Sequence, residues 1–233
     1  MVSTIHRELS PCRIPITIFL QNSRFFSKKA LIYLHGGPFY SIKNFNDDQI
    51  IPILFKTNRD IYAINYCGSI GFLNRPPMRI IGKGGCVDLQ EIKILISNLK
   101  NKYASTIVVG DSYGAYLASL LFFNANLEKI IVMSGFISIT YQFLFSTERL
   151  LLKKVLSANA TDFLNMVQHS ITNQVPISFY QGTDDTICPI KQFDLIKNTR
   201  RIRLYKLKHY THRESGEKFF LIGRKILMEI LDL

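Results

Sequence analysis

The sequence contains no tryptophan and only four cysteines among its 233 residues. Cys12, Cys67, Cys86 and Cys188 are scattered, with no C-x-x-C pair and no histidine cluster at ligand spacing. Neither a disulfide framework nor a metal centre is expected, and no cofactor. Long hydrophobic runs are missing as well. The longest candidate, Ala115 to Phe123, falls short of the ~18 residues that a membrane span needs. The N-terminus has His6, Arg7 and Glu8 ahead of Pro11 and Pro15 where a signal peptide would have an apolar core. A cytoplasmic protein without a membrane span is the expectation. Acidic residues are few, 17 Asp and Glu against 29 Lys and Arg, which leaves a net charge of +12. Such a balance can serve nucleic acid or an anionic surface. Its densest cluster, however, is Lys197, Arg200, Arg201, Arg203, Lys206 and Lys208, interleaved with Ile202, Leu204 and Leu207. That is the pattern of a charged terminal strand that resists edge-to-edge pairing, so no nucleic-acid partner is expected.

Apolar residues are plentiful, at 47% of the chain, enough to bury a sizeable core and to exclude a disordered polymer. The length suits one domain spanning residues 1–233. Short apolar runs at Ile16–Leu20, Ala30–Leu34, Ile61–Asn65, Thr106–Val109, Ile130–Met133, Ile177–Tyr180 and Ile202–Leu207 read as strands. Between them, Val87–Leu99, Tyr113–Phe123 and Glu217–Leu231 have helical periodicity. This alternation predicts an α/β fold, a mainly parallel sheet with helices on both faces. One segment, about 138–170, inserts roughly 33 residues between two strands, more than a crossover needs, and reads as a small helical cap.

The stretch Gly110-Asp111-Ser112-Tyr113-Gly114 follows a predicted strand and opens a predicted helix. A serine there sits on a tight, strained turn with its hydroxyl projecting, the geometry of a nucleophile elbow. Serine needs a base, normally a histidine oriented by a carboxylate. Downstream, Asp184 and Asp185 follow the strand Ile177–Tyr180, and His209 and His212 follow Ile202–Leu207. The order Ser, Asp, His is that of the α/β-hydrolase fold. His212 lies farther past its strand than His209, leaving its loop more reach over the sheet, and is the favoured base; His209 is expected to be structural. Attack on a carbonyl also needs donors for the developing oxyanion. The strand Leu31–Leu34 runs into His35-Gly36-Gly37-Pro38, where the amide of Gly37 can serve together with that of Tyr113. His35, Phe39 and Tyr40, around this turn, are candidate substrate-binding residues.

Taken together, HGGP, NYCGSIG (Asn65 to Gly71), GDSYGAY, QGTDDTICP and a late histidine resemble the catalytic domain of the prolyl oligopeptidase (S9) family of serine peptidases, from about Ala30 to the C-terminus. In that family the acid lies in a pattern like H-G-x-x-D-x-x-V-P, which Gly182, Asp185 and Pro189 match in spacing, so the resemblance prefers Asp185 over Asp184. Cys67 stands in place of the family's usual arginine, Ala115 in place of a second glycine, and Gln181 in place of the histidine before Gly182. The chain has no room for the β-propeller of the full-length enzymes. The resemblance implies a serine hydrolase that cleaves an ester or amide bond through an acyl-enzyme, with a small acyl, aminoacyl or short peptide substrate. A carboxylesterase, thioesterase or acyltransferase stays open beside a peptidase, as does, more remotely, a non-catalytic binding protein. The apolar residues of the cap, Phe143, Leu144, Phe145, Leu150 and Leu151, are expected in part to line a pocket facing the serine.

Overall fold

In the computed structural model, residues 2–9, 13–21, 28–169 and 174–232 are described; Cys12 and Ser170, the latter at the end of the expected cap, lie outside them. Strands β1 (Ser3–Leu9), β2 (Ile14–Leu20), β3 (Lys29–Leu34), β4 (Asp60–Ile64), β5 (Ser105–Asp111), β6 (Lys129–Met133), β7 (Ile177–Gly182) and β8 (Ile202–Leu207) form one sheet in the order β1-β2-β4-β3-β5-β6-β7-β8. From β4 to β8 all neighbours are parallel, while β1 and β2 add an antiparallel margin.

Burial explains the composition of the strands. The central runs IVVG and IIVM are apolar at every position because parallel strands are covered on both faces. Side chains alternate between the faces. Ile32, Leu34, Val108, Ile130 and Val132 join one core, and Leu31, Tyr33, Ile107, Val109 and Ile131 join the other. The first core is covered by α2 (Val87–Leu99) and α3 (Tyr113–Ser119), the second by α1 (Ile50–Leu54) and α7 (Gly216–Ile230). Both exposed margins are charged. β8 ends the sheet with Arg203 and Lys206 exposed, as expected of a strand guarded against pairing.

The structure differs from the sequence reading at β1, at the end of α3 and in the additional short helix α1. β1 was not expected: its IHRE core is mostly polar because the strand packs only at an edge. The helix expected over Tyr113–Phe123 stops at Ser119, where Leu121 and Phe122 turn to i→i−3 bonds with Ala118 and Ser119. The segment 138–169 holds α4 (Ile139–Phe145), α5 (Arg149–Val155) and α6 (Phe163–His169). Leu152, Val155, Leu156 and Phe163 are buried in the same core as Tyr113 and Tyr116. Phe143 and Leu151 pack against that core, whereas Leu144, Phe145 and Leu150 are exposed.

Parallel register brings the carboxyl ends of the strands to one edge. Leu34 pairs with Gly110, Asp111 with Met133, and Gly182 with Leu207. The loops that follow β3, β5, β7 and β8 therefore emerge side by side.

Candidate active site

At the end of β5 the chain reverses sharply into α3 through Ser112, which has φ 52° and ψ −115°. A non-glycine residue at positive φ is strained, and the flanking glycines make the turn possible. A Cβ at Gly110 would lie 2.4 Å from the Gly114 carbonyl oxygen, and one at Gly114 would lie 2.2 Å from that of Leu34. Neither contact is tolerable, so both positions require glycine.

The turn sets Ser112 Oγ 2.8 Å from His212 Nε2, and His212 Nδ1 is 2.9 Å from Asp185 Oδ2. Because a carboxylate only accepts, Nδ1 carries the proton and donates to Asp185, which leaves Nε2 to accept from the serine hydroxyl. Asp185 is buried, and four donors meet it. Ile187 N and Cys188 N donate to Oδ1 at 2.9 and 2.7 Å, and Gln181 Nε2 joins His212 on Oδ2, also at 2.9 Å. Gln181 is itself held by the Cys188 carbonyl at 2.6 Å. His209 and Asp184 form a separate pair, 3.5 Å apart on the surface.

Tyr113 contributes only its backbone to this place. Its ring is buried and its hydroxyl donates to Asp88 Oδ2 at 2.6 Å, while its amide, first in α3, is one of the donors a helix start leaves without an intrahelical partner. The Asp88 carboxyl is pushed up to about 6 by burial. Gly37 has φ 133°, and a Cβ there would lie 2.6 Å from Phe39 N. Among the described residues its amide has no acceptor.

His35, a candidate substrate-binding residue, is placed beneath the HGGP turn. It is fully buried, stacked on Tyr66 with ring centroids 4.4 Å apart, and bonded to Gly36 O and Ser69 Oγ at 2.7 and 2.9 Å. Burial lowers its pKa to about 4, so a neutral ring braces the turn from below. Asn65 adds to this brace, accepting from Ile42 N and donating to Ile42 O at 2.8 and 3.1 Å. The NYCGSIG stretch is thus the support of HGGP. Where Cys67 replaces arginine, a guanidinium arrives from elsewhere: Arg75 pairs with Glu91, which accepts from Cys67 N at 2.7 Å.

Phe39 and Tyr40 line a cavity of about 390 Å³ together with Gly36, Gly37, Asp111, His212 and Arg213. It lies between the HGGP turn and the His212 loop, on the side of the sheet covered by α1 and α7, with Ile50, Phe219 and Ile222 in its wall. None of Phe143, Leu144, Phe145, Leu150 and Leu151 lines it. Phe143 and Leu151 instead pack against the opposite core, the one that contains Tyr113. Asp111, on which the sequence alone gives no signal beyond its place as the second residue of GDSYG, also lines this cavity. Asp185, Cys188 and His212 could in principle hold a metal ion, but Asp185 and His212 already bond each other and the thiol of Cys188 is pushed far up by burial, which does not suit a thiolate ligand.

No protein-family model matches the chain, and no curated protein sequence matches it. Solved structures do. An acylaminoacyl peptidase of Pyrococcus horikoshii superposes with a TM-score of 0.78 at 16% identity, over 98% of this chain and 41% of its own. A puromycin-hydrolyzing peptidase of Mycobacterium tuberculosis gives 0.81 at 14% identity, over 98% and 38%. The esterase Pf2001 of Pyrococcus furiosus gives 0.70 at 15% identity, over 100% and 92%. The fold is that of the α/β-hydrolases. The likeness to S9-type peptidases read from the motifs extends to the three-dimensional structure, although this chain spans only about two fifths of the length of those two peptidases. No helix among the described residues is long and apolar enough to cross a membrane.

Proposed function

We propose that the protein is a serine hydrolase that cleaves ester or amide bonds of small acyl, aminoacyl or short peptide substrates through an acyl-enzyme. One observation carries the reading: the unbroken chain from Ser112 Oγ through His212 to Asp185, at 2.8 and 2.9 Å. In this reading Ser112 attacks the carbonyl while His212 takes its proton and later returns it to the leaving group. Asp185 fixes the tautomer. The amides of Gly37 and Tyr113 meet the oxyanion, a contribution of about 3 kcal/mol per donor in related sites. Phe39 and Tyr40 contact the substrate, and α4–α6 form a small cap on a single domain.

An esterase reading has specific support. The esterase of P. furiosus matches this chain over 92% of its own length, whereas the peptidases extend far beyond it. Activated esters and thioesters are therefore tested beside amide substrates.

The test is covalent labelling by a fluorophosphonate, followed by turnover of acyl esters and aminoacyl anilides. Labelling is expected at Ser112 and lost in Ser112→Ala, with rates down by ~10⁶ as for other triads. Labelling of the alanine variant beyond a few per cent of wild type would remove Ser112 as the nucleophile.

A further inference from the structure

The cavity beside His212 differs in charge from the rest of the molecule. On a chain of net charge +12, its lining includes the carboxylates of Asp47, Asp48, Asp111 and Glu214, opposed by the exposed Arg213 and by His212. Three of these carboxylates are occupied. Asp47 accepts from the amides of Lys43 and Asn44 at 2.7 and 2.8 Å. Asp48 accepts from Tyr33 Oη and Ile50 N at 2.7 and 3.0 Å. Glu214 accepts from Thr211 N and Oγ1. The carboxylate of Asp111 has no hydrogen-bond or ion-pair partner among the described residues. It is half-buried, and burial, then the charge of Asp48, push its pKa up to about 7.

Asp111 is also close to the reacting centre. A methyl group placed on Gly36 would lie 3.2 Å from Asp111 Oδ2 and 3.2 Å from Ser112 Cβ. The unpaired carboxylate thus lies against the same glycine as the nucleophile. A half-buried carboxylate that faces a cavity and has no donor from the protein is open to a ligand, and a cation with N–H donors is the group that pairs with it best. The aromatic side chains of Tyr33, Phe39, Tyr40 and Phe219 in the wall suit the apolar body that would carry such a cation.

We propose that this cavity is a subsite for a primary ammonium group on the leaving portion of the substrate, held by Asp111 with Asp48 behind it. The assignment rests on the serine-hydrolase reading. It follows from the position of His212, the residue that protonates the departing group and whose loop forms one wall of the cavity. The ammonium pairs with Asp111 while the departing oxygen or nitrogen lies against His212 Nε2. No further covalent step is involved.

The experiment compares butyryl esters of 4-(aminomethyl)benzyl alcohol with those of 4-ethylbenzyl alcohol, a matched pair differing in one charge. Wild type is expected to favour the cationic ester in kcat/KM by about tenfold or more, and Asp111→Asn to lose that preference. A second measurement needs neither a variant nor turnover: titration calorimetry of wild type is expected to show 4-methylbenzylammonium binding about tenfold more tightly than 4-methylbenzyl alcohol. Equal turnover of the two esters, a preference that survives in Asp111→Asn, or a cation favoured only on the acyl side overturns the subsite while leaving the hydrolase intact. Absence of fluorophosphonate labelling overturns the hydrolase instead, and equal binding of the two small ligands then overturns the cation site independently.

Discussion

Gln181 Nε2 lies 2.9 Å from Asp185 Oδ2, the same oxygen that faces His212 Nδ1. The glutamine stands where the resembled family has a histidine, and it is buried and anchored on the Cys188 carbonyl. It therefore holds the carboxylate from behind while the imidazole approaches from the front. A hydrogen bond to a charged acceptor contributes about 2 kcal/mol. Gln181→Leu is expected to lower kcat by about tenfold with little change in KM, because the residue acts through Asp185 and not on substrate. Steady-state kinetics on an activated ester check this, and an effect confined to KM would argue against a positioning role.

The two Asp–His pairs separate cleanly by burial. Asp185 and His212 are enclosed, whereas Asp184 and His209 are exposed. Asp185→Asn is expected to reduce kcat by ~10⁴, because an amide in that place favours the wrong imidazole tautomer, and His212→Ala by at least as much. Asp184→Asn and His209→Ala should stay at wild-type rates, since an exposed pair of this kind does little. Activity lost through His209 and kept without His212 would reverse the assignment.

Much of this arrangement was legible because local chemistry and global fold agree. The boundaries of Val87–Leu99 and Ile202–Leu207 follow from apolar spacing alone. The elbow follows from two glycines around a serine. What could not be read depended on contacts distant in sequence. That Tyr66 and Ser69 enclose His35 is one such contact. Asp111 looks like a filler residue until the cavity beside it appears. β1 resembles a loop because an edge strand needs no continuous apolar run. The packing of Leu152, Val155 and Phe163 in the segment 138–169 against the core of Tyr113 is not legible either, because periodicity reveals that a face is buried, not what it is buried against.

Ala115 stands where the resembled family has a glycine, and the space it takes is returned by Gly135. A Cβ on Gly135 would lie 2.6 Å from Ala115 Cβ. Gly135→Ala alone is expected to destabilise by about 1–3 kcal/mol through overpacking. Adding Ala115→Gly should restore most of that loss. Chemical denaturation of the two single variants and the double variant measures the coupling. Strictly additive effects would mean that the two positions do not share one space.

Asp111 has a measurable consequence for stability. Its carboxyl is raised from 3.8 to about 7, first by burial, then by Asp48 and more weakly by Asp185, with His212 and Arg213 opposing. Between those two values the native state holds a proton that the unfolded chain has released, so stability falls as pH rises through the window. The shift corresponds to ~4 kcal/mol once the group is fully ionised. His35 and Asp88 also titrate over part of this range, but they are present in both wild type and Asp111→Asn and cancel in the difference. Relative to wild type, Asp111→Asn is therefore expected to gain stability progressively from pH 4 to pH 8, by up to ~4 kcal/mol. Urea denaturation at pH 4, 6 and 8 provides the comparison. A difference that does not change with pH would show that this carboxylate is not strained in the folded protein. If the cavity takes an ammonium group, excess 4-methylbenzylammonium should raise the wild-type midpoint at pH 8, where Asp111 is ionised, and leave that of Asp111→Asn unmoved.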